Sequence, residues 1–209
     1  MIRYAITSVD LYRRVSGAGN GWVNRAAKAR KRLRNDPGAR ITNIWSRIKS
    51  VYMALQGSKC AFCEKGIEDQ AIEQDVEHFR LKRKVQRWPI AQWLQQELEK
   101  ENLRIRQPAT GSEQGYRLLA YHPWNYVASC KSCNSVFKRS YFPVAGTRDP
   151  EARKPARLRP RERPYLIFPL GDLDDDPADL IMFHGLSPQP RRHGFDRLRA
   201  LDYRNVRSG

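Results

Sequence analysis

The sequence has little that would place it in a membrane or send it out of the cell. No apolar run approaches the roughly 20 residues that a bilayer span needs. The N-terminus, Met1-Ile2-Arg3-Tyr4-Ala5-Ile6, lacks the apolar stretch of a secretory signal, and Arg13 and Arg14 follow soon after. A cytoplasmic location without membrane partners is therefore expected. Carboxylates are scarce: 22 Asp and Glu stand against 39 Lys and Arg, a net charge of +17. That imbalance cannot decide a fold, but it favours a polyanionic partner, and nucleic acid over a membrane. A generally solvated basic surface is the bland alternative. Apolar residues are also few, at 40% of 209 residues. One ordinary domain with a modest core and long basic loops fits that length and composition. No internal repeat and no helix-turn-helix is evident, so a base-reading module is not expected.

The local patterns are uneven. Residues 1–20 read as a short extended segment and then a polar loop marked by Gly17, Gly19, Asn20 and Gly21. Trp22 to Asn35 reads as a strongly basic helix, ended by Asp36-Pro37-Gly38. Ile41, Ile44, Trp45, Ile48, Tyr52 and Leu55 recur at helical spacing, which predicts a helix over 41–56. A strand is expected from Ile72 to His78 and a second from Tyr116 to Tyr121. Pro89 opens a predicted helix of about a dozen residues that carries Ile90, Trp93, Leu94 and Leu98. Another helix is expected from near Cys130 to about Lys138. Residues 144–164 look like an extended basic loop, Pro164 to Leu170 a buried strand, and Asp172 to Asp179 an acidic turn. From Arg191 onward the sequence suggests a short basic helix.

Only four cysteines occur, in two Cys-x-x-Cys pairs: Cys60 with Cys63, and Cys130 with Cys133. A reducing compartment disfavours disulfides, and a bond within either pair would close only a tiny loop. Zinc takes four thiolates tetrahedrally, and each tight pair supplies two. The expectation is one structural zinc, closed to substrate, that staples distant parts of the chain. A redox Cys-x-x-Cys is the competitor, but the alternating strand and helix context of such motifs is missing.

Between the pairs lies Asp75-Val76-Glu77-His78-Phe79-Arg80, and around the second pair runs Trp124-Asn125-Tyr126-Val127-Ala128-Ser129-Cys130-Lys131-Ser132-Cys133-Asn134, then Lys138. These segments resemble the HNH endonucleases, also called ββα-metal nucleases. Asn134 lies nine positions after Asn125, as in asparagine-type HNH sites. A narrower likeness is to the HNH proteins of Septu-type bacterial anti-phage systems, where the nuclease works beside an ATPase.

The resemblance implies roles. His78 is the general base that takes a proton from the attacking water. Glu77 and Asn134 hold one hard divalent cation, magnesium or manganese, through oxygen. Asn125 orients the His78 ring or braces the loop that does so. The products would carry 5′-phosphate and 3′-hydroxyl ends. Arg80, Lys82, Lys84 and Lys138 are candidates to contact nucleic-acid phosphates. Two departures from the family pattern matter. Glu77 stands where many relatives have Asp, which gives Asp75 room to contribute. Leu81 stands where the Glu-His-Phe-Arg pattern often continues with Pro.

The expected fold class is α+β: a small ββα-metal core with structural zinc, surrounded by helices. Residues 1–56 form a helical region with the basic helix. The nuclease core covers 57–143, and a basic loop with a C-terminal extension over 144–209 packs on that core. The expected function is metal-dependent hydrolysis of phosphodiester bonds in nucleic acid, with DNA favoured, in an anti-phage effector. One rival is a non-catalytic zinc-stabilised module that binds nucleic acid or a partner protein. Another is a nuclease silent outside its defence complex.

Overall fold

The computed structural model describes residues 2–68, 71–185 and 187–191. The helix expected after Arg191 lies outside the described residues. The class is α+β, as the resemblance implied, with helices and small sheets mixed along the chain. Helices α1 (Ser8–Gly17), α2 (Trp22–Asn35) and α3 (Lys49–Leu55) come first, with a 3₁₀ turn over Trp45–Ile48 before α3. Strand β1 (Asp75–His78), strand β2 (Lys84–Gln86), helix α4 (Gln92–Lys100) and strand β3 (Ser112–Gln114) follow. Then come strand β4 (Tyr126–Ser129) and a π-type helix over Ser132–Lys138. The described chain closes with α5 (Arg159–Glu162), α6 (Pro177–Leu180) and the hairpin β5 (Ile181–His184) to β6 (Ser187–Pro190).

Each sheet among the described residues has two strands. The pair that matters is β1 with β4, antiparallel, with Glu77 opposite Val127 and His78 opposite Tyr126. The π-type helix follows directly, so β1, β4 and this helix form a ββα unit whose two strands are separated by a long insertion. One hydrophobic cluster runs from Leu11 and Trp22 through Tyr52, Tyr126 and Phe142 to Leu170. Helices α1 and α2 and the segment after residue 144 therefore share their core with the ββα unit.

Several elements differ from the sequence pattern, each for a physical reason. Helix α1 was expected as loop. Thr7 caps it by accepting the Asp10 backbone N–H at 3.1 Å, and Leu11 and Val15, one turn apart, are buried. The helix predicted over 41–56 starts late because Thr42 is held elsewhere: its N–H donates to the Tyr121 hydroxyl at 2.8 Å, and its carbonyl accepts from that hydroxyl at 3.0 Å. The strand predicted over Tyr116 to Tyr121 is instead a buried chain with a 3₁₀ turn at Arg117–Leu119. Likewise Pro164 to Leu170 is buried, yet it pairs only through single bridges, Val144 with Pro164 and Tyr4 with Leu170. The stretch expected as an extended basic loop over 144–164 contains α5, and several of its arginines are paired. Arg148 meets Glu113, Arg159 meets Asp174, and Arg161 meets Asp149.

Gly115 is required where β3 leaves toward the site. Its N–H donates to the Arg83 carbonyl at 2.6 Å, and a Cβ there would sit 2.8 Å from that oxygen and closer still to the Leu81 carbonyl. No side chain fits between those strands.

A buried ion pair ties α5 to the segment after β1. Arg80 Nε donates to Glu162 Oε2 at 2.8 Å, with side chains 5% and 0% exposed. The Arg80 guanidinium also stacks between Phe79 and Phe142, 5.6 Å from each ring. Removing one partner strands the other charge, so Arg80→Ala or Glu162→Ala is expected to cost about 3–5 kcal/mol. The joint change Arg80→Met with Glu162→Leu should cost clearly less. Urea unfolding of the three variants measures this, and equal losses would show that the stranded charge is not the cause.

Candidate active site

The four cysteines meet although 67 positions separate Cys63 from Cys130. Their sulfurs lie within 4.8 Å of one another, and Cys63 Sγ is 3.8 Å from Cys130 Sγ. A tetrahedron with Zn–S bonds near 2.3 Å has edges of about 3.8 Å, so donor type and spacing both fit zinc. No disulfide forms among them. Hydrogen bonds from Cys133, then Cys60, draw Cys63 down to about 3, which favours a thiolate. The same sulfurs push Cys133 upward. The Cys133 N–H points at Cys130 Sγ at 3.4 Å, and the first pair is tied to β4 by Ala61 N–H donating to Ala128 O at 2.9 Å.

Buried Gln56, at the end of α3, completes that attachment. Its amide nitrogen donates to the carbonyls of Lys59 and Ala128, each at 2.9 Å, and its oxygen accepts the Ala128 N–H at 2.8 Å. Sequence reasoning missed this residue. A lone glutamine at a helix end carries no pattern that distinguishes it from a surface side chain.

His78 ends β1 and is 1% exposed. Its ring is boxed by Trp45 at 4.6 Å and Tyr126 at 4.9 Å, both edge-on. Nε2 lies 3.1 Å from the Ala120 carbonyl, and Lys82 Nζ lies 3.3 Å from Nδ1. Since a carbonyl only accepts and an ammonium only donates, the proton belongs on Nε2 and the lone pair on Nδ1. Burial, and then the nearby Lys82 charge, hold the imidazole well below its usual pKa, so the ring is neutral. Lys82 itself is lowered, chiefly by burial, and its ammonium rests 4.5 Å over the Trp45 ring. Trp45, Tyr126 and the Ala120 carbonyl were not among the sequence-derived site residues.

Asn125 is fully buried, and its side-chain hydrogen bonds go to neighbouring backbone rather than to the His78 ring. Its Oδ1 accepts the Arg80 N–H at 2.9 Å, and its Nδ2 donates to the Arg80 and Leu119 carbonyls at 3.0 and 3.2 Å. It braces the chain that leaves His78, and through Leu119 it braces the segment that presents the Ala120 carbonyl.

Next to His78, the helix supplies partners for the carboxylates of β1. Asp75 and Glu77 are two apart on β1 and point the same way. Asn134 and Lys138 are four apart on the helix. Asn134 Nδ2 donates to Asp75 Oδ2 at 2.9 Å, and Lys138 Nζ donates to Glu77 Oε1 at 2.5 Å and to the His78 carbonyl at 3.2 Å. The π-type winding, with Arg139 N–H bonded to Asn134 O at 2.9 Å, is a rare geometry that recurs at functional sites.

Two sequence expectations need correction. Lys138 is buried and paired with Glu77, and Arg80 is buried and paired with Glu162, so neither offers its charge to solvent phosphates. Lys84 is exposed on β2, and Lys82 is half-buried against His78. The remaining oxygens of Asp75, Glu77 and Asn134 suit a hard cation in kind. The Lys138 ammonium lies on Glu77, so such a cation would compete with it.

His122 is a second histidine held neutral. Burial, then Arg30, lower it to about 4, and its Nδ1 accepts the Trp124 N–H at 3.2 Å. An unfolded histidine binds a proton near pH 6.5. Between those values the unfolded chain holds more protons than the folded one, so stability is complete above about 6.5 and falls as the pH drops toward 4. His78 acts in the same direction. The melting temperature should decline over that window, less steeply in His122→Gln. A flat profile would contradict the burial of these rings.

No helix among the described residues is long and apolar enough to cross a membrane. No known family profile matches the chain, and no solved structure matches it. The chain is similar to the Septu protein PtuB of Bacillus mycoides (strain KBAB4), 26% identical over 136 residues. That stretch covers 65% of this chain and 38% of the relative's length.

Proposed function

We propose that this protein is a metal-dependent HNH-type endonuclease of a Septu-like anti-phage system. The observation that carries the reading is His78: a buried, neutral imidazole whose tautomer leaves Nδ1 as the basic atom, at the end of a ββα unit whose helix faces Asp75 and Glu77. Similarity to a Septu protein supports the setting. It also suggests a partner from the same defence system, which by the resemblance to Septu-type HNH proteins would be an ATPase.

Glu77 and Asn134, with Asp75 beside them, would hold a magnesium or manganese ion. That ion would offset charge on the scissile phosphate and the leaving 3′ oxygen. His78 Nδ1 takes the proton of the attacking water as the new P–O bond forms and the bond to the 3′ oxygen breaks. The Ala120 carbonyl holds the ring while this happens and stabilises the imidazolium by accepting from Nε2. Lys82 has two roles in sequence. It covers Nδ1 in the free protein, and it moves onto an incoming phosphate, which exposes the base. Cys60, Cys63, Cys130 and Cys133 would hold a zinc ion that would keep β4 and the helix start in place and take no part in the chemistry.

One observation favours a second reading, a binding module without catalysis. Glu77 and His78 are each already covered by an ammonium. Incubation of purified protein with plasmid and with RNA separates the two, with and without magnesium or manganese, alone and with its ATPase partner. Cleavage that requires the divalent ion supports the nuclease. No cleavage under any of these conditions would leave the binding module.

A further inference from the structure

A cavity of about 700 Å³ opens beside Lys82, and its charged lining is Arg34, Arg40, Lys82, Arg83, Arg117 and Arg153 against one carboxylate, Glu151. A second cavity of about 300 Å³ shares Arg34, Leu118 and Arg153 with the first. It adds Arg30, Lys154 and His122, with no carboxylate in its lining. Joined by the shared residues, the two form one trough that runs from Lys154 to Lys82, where the ammonium meets His78 Nδ1. The trough exists only in three dimensions. Its cations come from the second half of α2, the turn after it, the β1–β2 connection, the 3₁₀ turn at Arg117–Leu119 and the segment before α5.

Among the described residues, carboxylate pairing leaves the trough out, as it leaves out other surface cations such as Arg25, Lys28 and Arg47, and what sets the trough apart is that its cations gather in one place. Arg13, Lys65, Arg80, Lys100, Lys138, Arg148, Arg159 and Arg161 each meet a carboxylate. Arg30, Arg34, Arg40, Arg83, Arg153 and Lys154 meet none among the described residues. Arg117 is fixed at the floor, where it donates to the Leu33 and Ala39 carbonyls at 3.0 and 3.1 Å. Like charges gathered this closely repel one another, and an anion with repeating charges relieves that repulsion. A single phosphate would answer only one end of so long a row. The lining has no Phe, Tyr or Trp, the aromatic anchors that commonly hold a protein partner, and of its larger apolar members Leu33 and Leu118 are buried.

We propose that this trough is the track of a nucleic-acid strand, whose phosphates are bound from Lys154 to Arg83 and delivered at Lys82 to His78. This rests on the nuclease reading only at its inner end, because binding along the track needs no chemistry. Each phosphate neutralised there releases counterions, so the salt dependence counts the contacts.

The test is binding of labelled DNA, as single strand and as duplex, across a salt series in EDTA, so that cleavage does not intervene. The combined variant Arg34→Gln, Arg40→Gln, Arg83→Gln, Arg153→Gln changes exposed side chains and should fold normally. It is expected to flatten the log–log salt slope by about 3 and to weaken binding about 10²–10³-fold near physiological salt. Arg13→Gln, Lys65→Gln, Lys100→Gln, which removes paired charges elsewhere, should leave the slope nearly unchanged. An unchanged slope in the trough variant would overturn the track, whether or not the wild type cleaves. Displacement of DNA by polyglutamate or by a nucleoside triphosphate at equal charge concentration would also overturn it. A lost slope in a protein that never cleaves would uphold the track and sink only the nuclease reading.

Discussion

Cys60→Ser and Cys133→Ser are each expected to give protein that is unfolded or aggregated, without bound zinc. Both side chains are buried, at 0% and 3% exposure, and their cluster joins the turn after α3 to the start of the π-type helix. Structural zinc in small sites contributes about 10–16 kcal/mol of apparent binding free energy at neutral pH. A typical domain has about 5–15 kcal/mol of net stability. Loss of one thiolate ligand can therefore remove most of the margin. The wild type should carry about one zinc per chain by elemental analysis, and a strong chelator should lower its melting temperature. Soluble, folded, zinc-free variants would show that the sulfurs do not staple this fold.

His78→Ala should reduce nucleic-acid cleavage about 10²–10⁴-fold, the usual cost of a lost general base. Zinc content and DNA affinity should stay as in the wild type. The buried ring also fills space between Trp45 and Tyr126, so His78→Gln is the better-packed companion and should be as inactive. Glu77→Ala and Asn134→Ala should differ from both, with activity partly restored by added manganese. The pH profile gives a second check. An unperturbed imidazole would lose activity below about pH 6.5, which is what the sequence suggests. Burial and the Lys82 charge move that decline to lower pH. Activity that fell already at pH 6.5 would mean that the base is more solvated than His78 is here. Cleavage that survived in both variants would remove His78 from the mechanism.

Much of the arrangement was legible in the residues because the signals are short and local. Two Cys-x-x-Cys pairs announce a four-sulfur cluster whatever lies between them, since thiolate chemistry and tight-turn geometry act over four residues. The basic helix at Trp22–Asn35 appears with the boundaries its pattern suggests, because it is ended by Asp36-Pro37-Gly38 and buries Trp22, Ala26 and Leu33. The strand read over Ile72 to His78 appears as Asp75–His78, with a 3₁₀ turn at Ala71–Glu73 taking up its first residues. What the sequence could not show are pairings made across the fold. The helix over 41–56 was shortened by Tyr121, which holds Thr42 in an extended chain. The same distant contact geometry turned Tyr116 to Tyr121 from an apparent strand into the segment that offers Ala120 to His78.

Charge shows the division most clearly. The sequence by itself determined that 39 cations would face 22 carboxylates, so that even complete one-to-one pairing would leave seventeen positive charges over. Only the tertiary structure decided which ones. It buried Arg80 against Glu162 and Lys138 against Glu77, and it left Arg34, Arg40, Arg83 and Arg153 along one trough. The physical reason is that composition is conserved on folding, whereas a charge's partner, solvation and pKa depend on what lies within a few ångströms. For these side chains the neighbours come from segments far away in the chain.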